Sequence, residues 1–397
     1  MIKKVTIILF FVILCSHLYS IEEKQVISKI LFYGNTKTKE TIIKKALYLK
    51  IGQEFDPDLI EKSRKRLMDL NIFTHVDIET KESEEGTILL VIVKEKPSIL
   101  FNLLLGYAEE TYKNFLGSKL DYNNLLGKNQ KLWLTTIPLG NLKKIEFGYQ
   151  NNYYIDFFWG ISFSNLWYKN DFYDFKEDRF TGKIFMGNKI SKLETNIWAN
   201  YEKIRIDNSS LLHPDAPEEL FKLGINITYN SKDWEFFPSK GIVAETGFYR
   251  ALNRNWKTVY DRSTFRISSF FNLYKKNVLA LDLRSKISEG NVPIYDSLFF
   301  GGLNTLRGFS VQTYSGSNYI VFTSEYRIPI EKRTGTAFYF FSDFGSITNR
   351  KEDFSIKKFK SDFGIGLFWV LMEESVFRID LSISPKFKLI LDYGWKF

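Results

Sequence analysis

The 397-residue chain is poor in the side chains that ordinary catalysis uses. Its one cysteine is Cys15, and its three histidines, His17, His75 and His213, lie far apart in sequence. No H-x-H, H-E-x-x-H or carboxylate–histidine cluster occurs, so a catalytic zinc site is not expected. G-x-S-x-G and P-loop patterns are missing too, and His213 sits beside Pro214 in a polar stretch from Asp207 to Glu219. The expectation is a protein that is not an enzyme and holds no metal or cofactor. The chemistry gathers instead in Phe299-Phe300-Gly301-Gly302-Leu303-Asn304-Thr305-Leu306-Arg307-Gly308-Phe309. A guanidinium cannot shed its charge, so an arginine in a loop that dips into an interior needs a carboxylate partner. A bidentate pair would hold such a loop and fix the shape of the wall behind it. Gly308 would let the backbone turn tightly beside Arg307. The bland alternative is an exposed loop arginine with no partner.

A loop of this kind needs a rigid frame, and the composition points to β structure. Apolar residues make up 44% and aromatics 17%, with 37 Phe, 22 Tyr and 8 Trp, too aromatic for disorder. Only Val5 to Leu14 is continuously apolar, which excludes a helical membrane protein. With Lys3 and Lys4 before it and the small Ser20 after it, residues 1–20 read as a secretory signal peptide. The stretch is too short for a spanning helix, which needs about 20 residues. Cys15 could be a lipid acceptor, but bulky Leu14 precedes it where such sites carry a small residue. Its removal would leave no thiol for a disulfide or nucleophile. The formal net charge of +9 is spread thinly, with no basic helix or zinc-finger spacing, so no nucleic-acid partner is expected. A mild basic excess suits acidic lipid headgroups.

Residues 22–97 read as a small α/β unit in the order β-α-α-β-β. Val26 to Phe32 reads as a strand, and Gly34-Asn35 as a turn. Thr38 would cap a helix carrying Ile42, Ile43, Ala46 and Leu47 at helical spacing. Asp56-Pro57 opens a second helix with Leu59, Ile60, Leu67 and Leu70 on one side. Two strands follow, around Phe73 to Ile78 and Ile88 to Val93.

Residues 98–397 alternate strictly, strand after strand. Phe157, Trp159, Ile161, Phe163 and Trp167 share one face, with Gly160, Ser162 and Ser164 between them. Ile225, Ile227 and Tyr229, then Leu279, Leu281 and Leu283, then Phe377, Ile379, Leu381 and Ile383 repeat the pattern. In the last strand Phe387, Leu389, Leu391, Tyr393, Trp395 and Phe397 share a face, and Lys386, Lys388, Asp392 and Lys396 the other, with Ile390 the exception. Full charges on the polar face suggest a wet lumen, and aromatics crowd the strand ends as interfacial girdles. A bilayer accepts strands only when every backbone group is paired, so the sheet must close. At roughly 18–20 residues per strand and connection, the region holds about 16 antiparallel strands of a transmembrane β-barrel. The chain ends on Phe397 at the end of a strand.

The N-terminal unit resembles a POTRA domain through Gly34-Asn35, Leu47, Gly52, Leu67, Asn71 to Val76 and Glu95-Lys96-Pro97. The Arg307-Gly308-Phe309 core resembles the loop motif of the BamA/TamA superfamily of outer-membrane insertases and secretion barrels. Tyr229 to Gly241 resembles that family's mid-barrel hairpin, Ser324 to Pro329 the strand after the loop, Phe341-Ser342-Asp343-Phe344-Gly345 its aromatic-x-Asp-x-Gly strand, and Asp362 to Gly366 its Gly-rich penultimate region. Their order and spacing agree over the whole mature chain.

The resemblance implies an outer-membrane protein of a diderm bacterium, with the POTRA unit in the periplasm. It implies Asp343 as the partner of Arg307, with Glu325 second. It also implies a weak seam between the first strand and the last, formed by Leu103, Leu105, Leu389, Leu391, Gly394 and Phe397, which opens sideways to template an incoming strand. The expected function is nucleotide-independent folding and insertion of β-barrel proteins. Its partners would be unfolded outer-membrane clients, outer-membrane lipid, and chaperones or accessory proteins at the POTRA unit. The alternative is a two-partner-type secretion transporter, and a third reading is a passive channel. The chain departs from the family in having room for one POTRA repeat and no plug helix before it.

Overall fold

The structure, a computed structural model, describes residues 26–106, 115–140, 142–170, 172–207, 218–234, 237–302, 305–331, 335–371 and 375–394. The signal peptide expected over 1–20 lies outside the described residues, as do His213, Trp395, Lys396 and Phe397. The chain divides into two units, 1–96 and 97–397.

In the first unit β1 (Ile27–Tyr33), α1 (Glu40–Ala46), α2 (Pro57–Asp69), β2 (Phe73–Ser83) and β3 (Gly86–Glu95) follow one another. The sheet order is β1-β3-β2, with β1 parallel to β3 and β2 antiparallel to it. Alternation along β3 buries Thr87, Leu89, Val91 and Val93. Ile42, Ile43, Ala46 and Leu67 of the helices are buried as well. Asp56 caps α2 by accepting the Asp58 N–H at 2.9 Å, and Pro57 takes the first helical position, where its missing N–H costs nothing.

Thr38 does not cap α1. The N-cap is Lys39, and Thr38 Oγ1 donates to Glu95 Oε1 at 2.5 Å instead. The backbone N–H groups of Lys37 and Thr38 and the Thr36 hydroxyl also donate to that carboxylate. Glu95 therefore pins the β1–α1 turn to the end of β3. Partial burial pushes its carboxyl pKa up, but these donors outweigh burial and hold it below the ordinary value. A depressed carboxyl contributes stability above its unfolded value of about 4.3 and loses it as pH falls through the folded value. Glu95→Gln should thus reduce hydrogen-exchange protection of the Thr38 amide at pH 7. The wild type should lose the same protection, after correction for intrinsic exchange, only as pH falls below about 4.

The second unit is a closed barrel. Its strands are β4 (Ile99–Gly106), β5 (Phe115–Tyr122), β6 (Gln130–Gly140), β7 (Leu142–Tyr154), β8 (Phe157–Asn170) and β9 (Phe175–Ile190). There follow β10 (Leu193–Ile206), β11 (Glu219–Asn230), β12 (Gly241–Leu252), β13 (Thr258–Asn272) and β14 (Val278–Gly290). After a long connection holding the short pair β15 (Leu298–Phe300) and β16 (Tyr314–Gly316), the wall resumes. It continues with β17 (Asn318–Glu331), β18 (Thr336–Thr348), β19 (Lys360–Leu371), β20 (Ser375–Ser384) and β21 (Lys388–Gly394). Sixteen strands, β4 to β14 and β17 to β21, form the ring, and β21 meets β4. We call the end where β4 begins the near end and the other the far end.

The outward face is the apolar one. Phe157, Trp159, Phe163, Trp167, Ile225, Ile227, Tyr229 and Phe322 are all exposed, as the lipid-facing positions of a membrane barrel must be. The inward face is not the open, wet surface that its charges suggested. Glu177, Glu202, Lys222, Arg262, Asp282, Glu325, Arg327, Asp343, Asp362, Arg378 and Asp380 are all buried. Most are held in ion pairs, because a desolvated charge is costly unless paired. Asp296 and Arg307, both from the connection after β14, are buried among them and ion-paired to them.

Candidate functional site

Arg307 is 3% exposed, and each nitrogen of its guanidinium donates to a carboxylate. Nε donates to Asp343 Oδ2 at 2.7 Å and Nη2 to Asp343 Oδ1 at 2.8 Å, a two-pronged fork on one carboxylate. Nη1 donates to Glu325 Oε1 at 2.9 Å, and the guanidinium carbon lies 3.6 Å from the centre of the Phe341 ring. Asp343 and Phe341 face inward from β18, and Glu325 from β17. The arginine thus clamps two adjacent strands to the loop.

The acids around it outnumber its charge. Asp343 stands directly opposite Asp362 of β19 in the ladder, a like-charged cross-strand pair that would repel if left alone. Arg307 takes Asp343, and the Gly308 N–H donates to Asp362 Oδ2 at 2.9 Å. Glu325 is shared further: Arg327 Nη2 donates to its Oε2 at 2.8 Å and Arg378 Nη2 to its Oε1 at 2.7 Å. Tyr339 donates to Asp380, and Arg378 donates to the Tyr339 hydroxyl at 2.9 Å. Three guanidiniums and four carboxylates from one loop and four consecutive strands, β17 to β20, form one buried network.

Local backbone chemistry presents Arg307 to this wall. Gly301 and Gly302 have φ of +114° and +97°, a region that side chains rarely adopt, and the Gly302 N–H donates to Leu306 O at 2.9 Å. These two glycines make the tight turn that the sequence reading assigned to Gly308. Gly308 has a different task, close approach: a Cβ there would lie 2.3 Å from Ser384 O and 2.8 Å from Asp362 Cβ. Leu306 is fully buried with Leu298, Phe300, Tyr319 and Val321, so an apolar plug seats the loop beside its charges. Gly308→Ala should cost about 1–3 kcal/mol by overpacking and raise protease cleavage within 299–309.

The near end of the same wall is braced separately. The turn 231–240 between β11 and β12 is closed by Asp233, which accepts from the Ser239 N–H and hydroxyl at 2.8 and 2.5 Å. It buries Phe237 against Ala337, Tyr339, Phe341, Phe368 and Val376. Tyr339 therefore belongs both to this apolar cluster and to the charge network.

A family model described as the Omp85 superfamily domain matches residues 124–384, well over half of the chain. The chain belongs to the Omp85 superfamily. A second model, the POTRA "Surface antigen variable number repeat", matches residues 25–96. The outer membrane protein assembly factor BamA of Neorickettsia risticii (strain Illinois) is 27% identical over 91% of this chain and 52% of its own length. BamA of Nitratidesulfovibrio vulgaris is 21% identical over 74% of this chain and 39% of its own. The chain spans about half or less of the length of these curated relatives. Among solved structures, BamA from Haemophilus ducreyi lacking POTRA domains 1-3 superposes with a TM-score of 0.70 at 16% identity, over 93% of this chain and 83% of that one. CdiB from Acinetobacter baumannii gives 0.64 at 14% identity, over 94% and 73%. These structural likenesses show a shared fold.

The seam residues lie apart from the Arg307 network. Leu103 of β4 and Leu389 and Leu391 of β21 face outward and are exposed. Leu105 is in register with Tyr393, and Gly394 pairs across the other side of β21 with Val376 of β20. Phe397 lies outside the described residues. On its other side β21 shares a ladder with β20 from Val376–Gly394 to Ser382–Lys388. A contact joins the two places: Lys388 Nζ of β21 donates to Phe309 O at 2.6 Å. Phe309 itself packs its ring on Tyr314. Tyr339 carried no reading in the sequence, and Arg327, Arg378 and Asp380 were legible only as inward-facing polar positions of their strands. The alternation placed them on the right face but could not tell which of them meet.

Proposed function

We propose that this Omp85 protein is an outer-membrane assembly factor that folds and inserts β-barrel clients without nucleotide, by parting the seam between β21 and β4. What supports the reading is the Omp85 barrel itself, whose ring closes where the last strand, β21, meets the first, β4. A parted seam exposes unpaired N–H and C=O groups on β4, and such an edge templates a new strand. The free energy comes from the client's own folding; the barrel supplies an edge and lowers the barrier. In this reading Arg307 sets the rigidity of β17 to β20, so that opening is confined to the strand beyond them. Its loop also grips β21 through the Phe309 carbonyl. The POTRA unit would receive clients or accessory proteins in the periplasm.

The secretion alternative requires the lumen to be clear, and here the 291–317 connection is ion-paired inside it, which favours the lateral route. A photo-reactive residue at Leu103 on β4, compared with one at the inward-facing Ser164 on β8, tests this with a stalled client. Cross-links to the client's terminal strand at Leu103 support insertion at the seam. Cross-links confined to Ser164 would favour passage through the lumen.

A further inference from the structure

The Arg307 network holds only one limb of the 291–317 connection; the other limb is held on a different wall. Asp296 lies buried in its first turn (Ile294–Asp296). Its Oδ1 accepts from Arg179 Nη1 at 2.9 Å, and its Oδ2 pairs with Lys222 Nζ at 2.9 Å and accepts from the Tyr260 hydroxyl at 2.6 Å. The backbone is gripped as well: Arg262 Nη2 donates to Asp296 O and Arg179 Nη2 to Tyr295 O, both at 2.9 Å. These groups come from β9, β11 and β13 near the far end. Around the ring from β11, strands β12, β13, β14 and β17 intervene before β18, which carries Asp343.

The charges on the two walls are opposite. The β9–β13 group offers three cations, Arg179, Lys222 and Arg262, and two carboxylates, Glu177 and Glu202, which pair with Arg179 and Lys222. It is an anion short until Asp296 docks. The β17–β20 group offers Arg327 and Arg378 against Glu325, Asp343, Asp362 and Asp380, and lacks cations until Arg307 docks. The connection therefore carries a negative residue for the positive wall and a positive residue for the negative wall, eleven positions apart. Swapping the two ends would put like charges together in buried sites, at high cost.

We propose that Asp296 is a second positioning residue of the insertase, and that the 291–317 connection is a polarised strut. Asp296 fastens it to the β9–β13 wall, and Arg307 fastens it to the β17–β20 wall beside the seam. The proposal rests on the insertase reading for its functional part and on geometry alone for its anchoring part. Thiol labelling of Val311→Cys, a buried loop position, reports anchoring in full-length protein in liposomes with Cys15→Ser as background. Asp296→Asn should speed labelling about tenfold or more, as breaking a buried ion pair would. Lys222→Gln, which leaves the loop untouched, should do the same, and Asp296→Glu should restore slow labelling in part. Client folding by Asp296→Asn should slow alongside.

Unchanged labelling in both Asp296→Asn and Lys222→Gln would overturn the strut. Faster labelling with undiminished client folding would overturn the positioning role. If the wild type itself accelerates no client, the insertase reading fails while the strut is still decided by the labelling rates.

Discussion

Arg307→Ala should abolish assisted client folding while leaving a closed barrel. The substitution removes five donors from a site where Asp343 and Asp362 are directly opposed and Glu325 and Asp380 are close by. Losing one partner of a buried ion pair costs about 3–5 kcal/mol, because the remaining carboxylates stay desolvated. That is enough to release the connection from the β17–β20 wall but small beside the long ladders that close the rest of the ring. The expected phenotype is a protein that still shows heat-modifiable gel migration yet folds client no faster than lipid alone. Protease should now cleave near Thr305 to Ser310. Arg307→Lys should rescue little, since an ammonium cannot reproduce the fork on Asp343 together with the bond to Glu325. Full activity in Arg307→Ala would mean that the buried network serves stability only.

Locking the seam should have an equally large effect by the opposite means. Leu105 and Tyr393 are register partners in antiparallel strands, and such partners lie within disulfide range. In the double variant Leu105→Cys, Tyr393→Cys, on a Cys15→Ser background, oxidation should reduce client folding to the rate in empty liposomes, and dithiothreitol should restore it. The reduced form is its own control, because chain, lipid and loop are identical in the two states. Here the Arg307 network stays intact, so the two variants separate the loop from the gate. Equal rates in the oxidised and reduced forms would show that insertion does not pass between β21 and β4.

Much of this architecture was legible because a membrane barrel writes a period of two into its sequence. Trp159, Ile227 and Leu281 were placed on the outer face by alternation alone, and the residue count gave the strand number. Alternation fixes the face of a residue but not its cross-strand partner. It therefore marked Arg327, Arg378 and Asp380 as inward without showing that they converge on Glu325 and Tyr339. Asp296 was missed for a related reason: it sits in a connection, where no period exists, and its partners lie on β9, β11 and β13, far away in sequence. Thr38 was read as a cap from its type and position, whereas a long-range acceptor, Glu95, outcompeted the helix end for its hydroxyl. Gly308 was read as a turn residue because glycine fits turns. Only the approach of Ser384 and Asp362 shows that it is there for lack of a side chain.

Whether this barrel itself speeds the folding of other barrels is decided by reconstituting the full chain in liposomes and following the rate at which a urea-unfolded β-barrel client becomes protease-resistant, with no nucleotide present. An insertase should make folding clearly faster than in empty liposomes of the same lipid, with the gain lost in Arg307→Ala and in the oxidised seam variant. Client folding at the rate of empty liposomes, in a preparation whose barrel is demonstrably closed, would contradict the insertase reading.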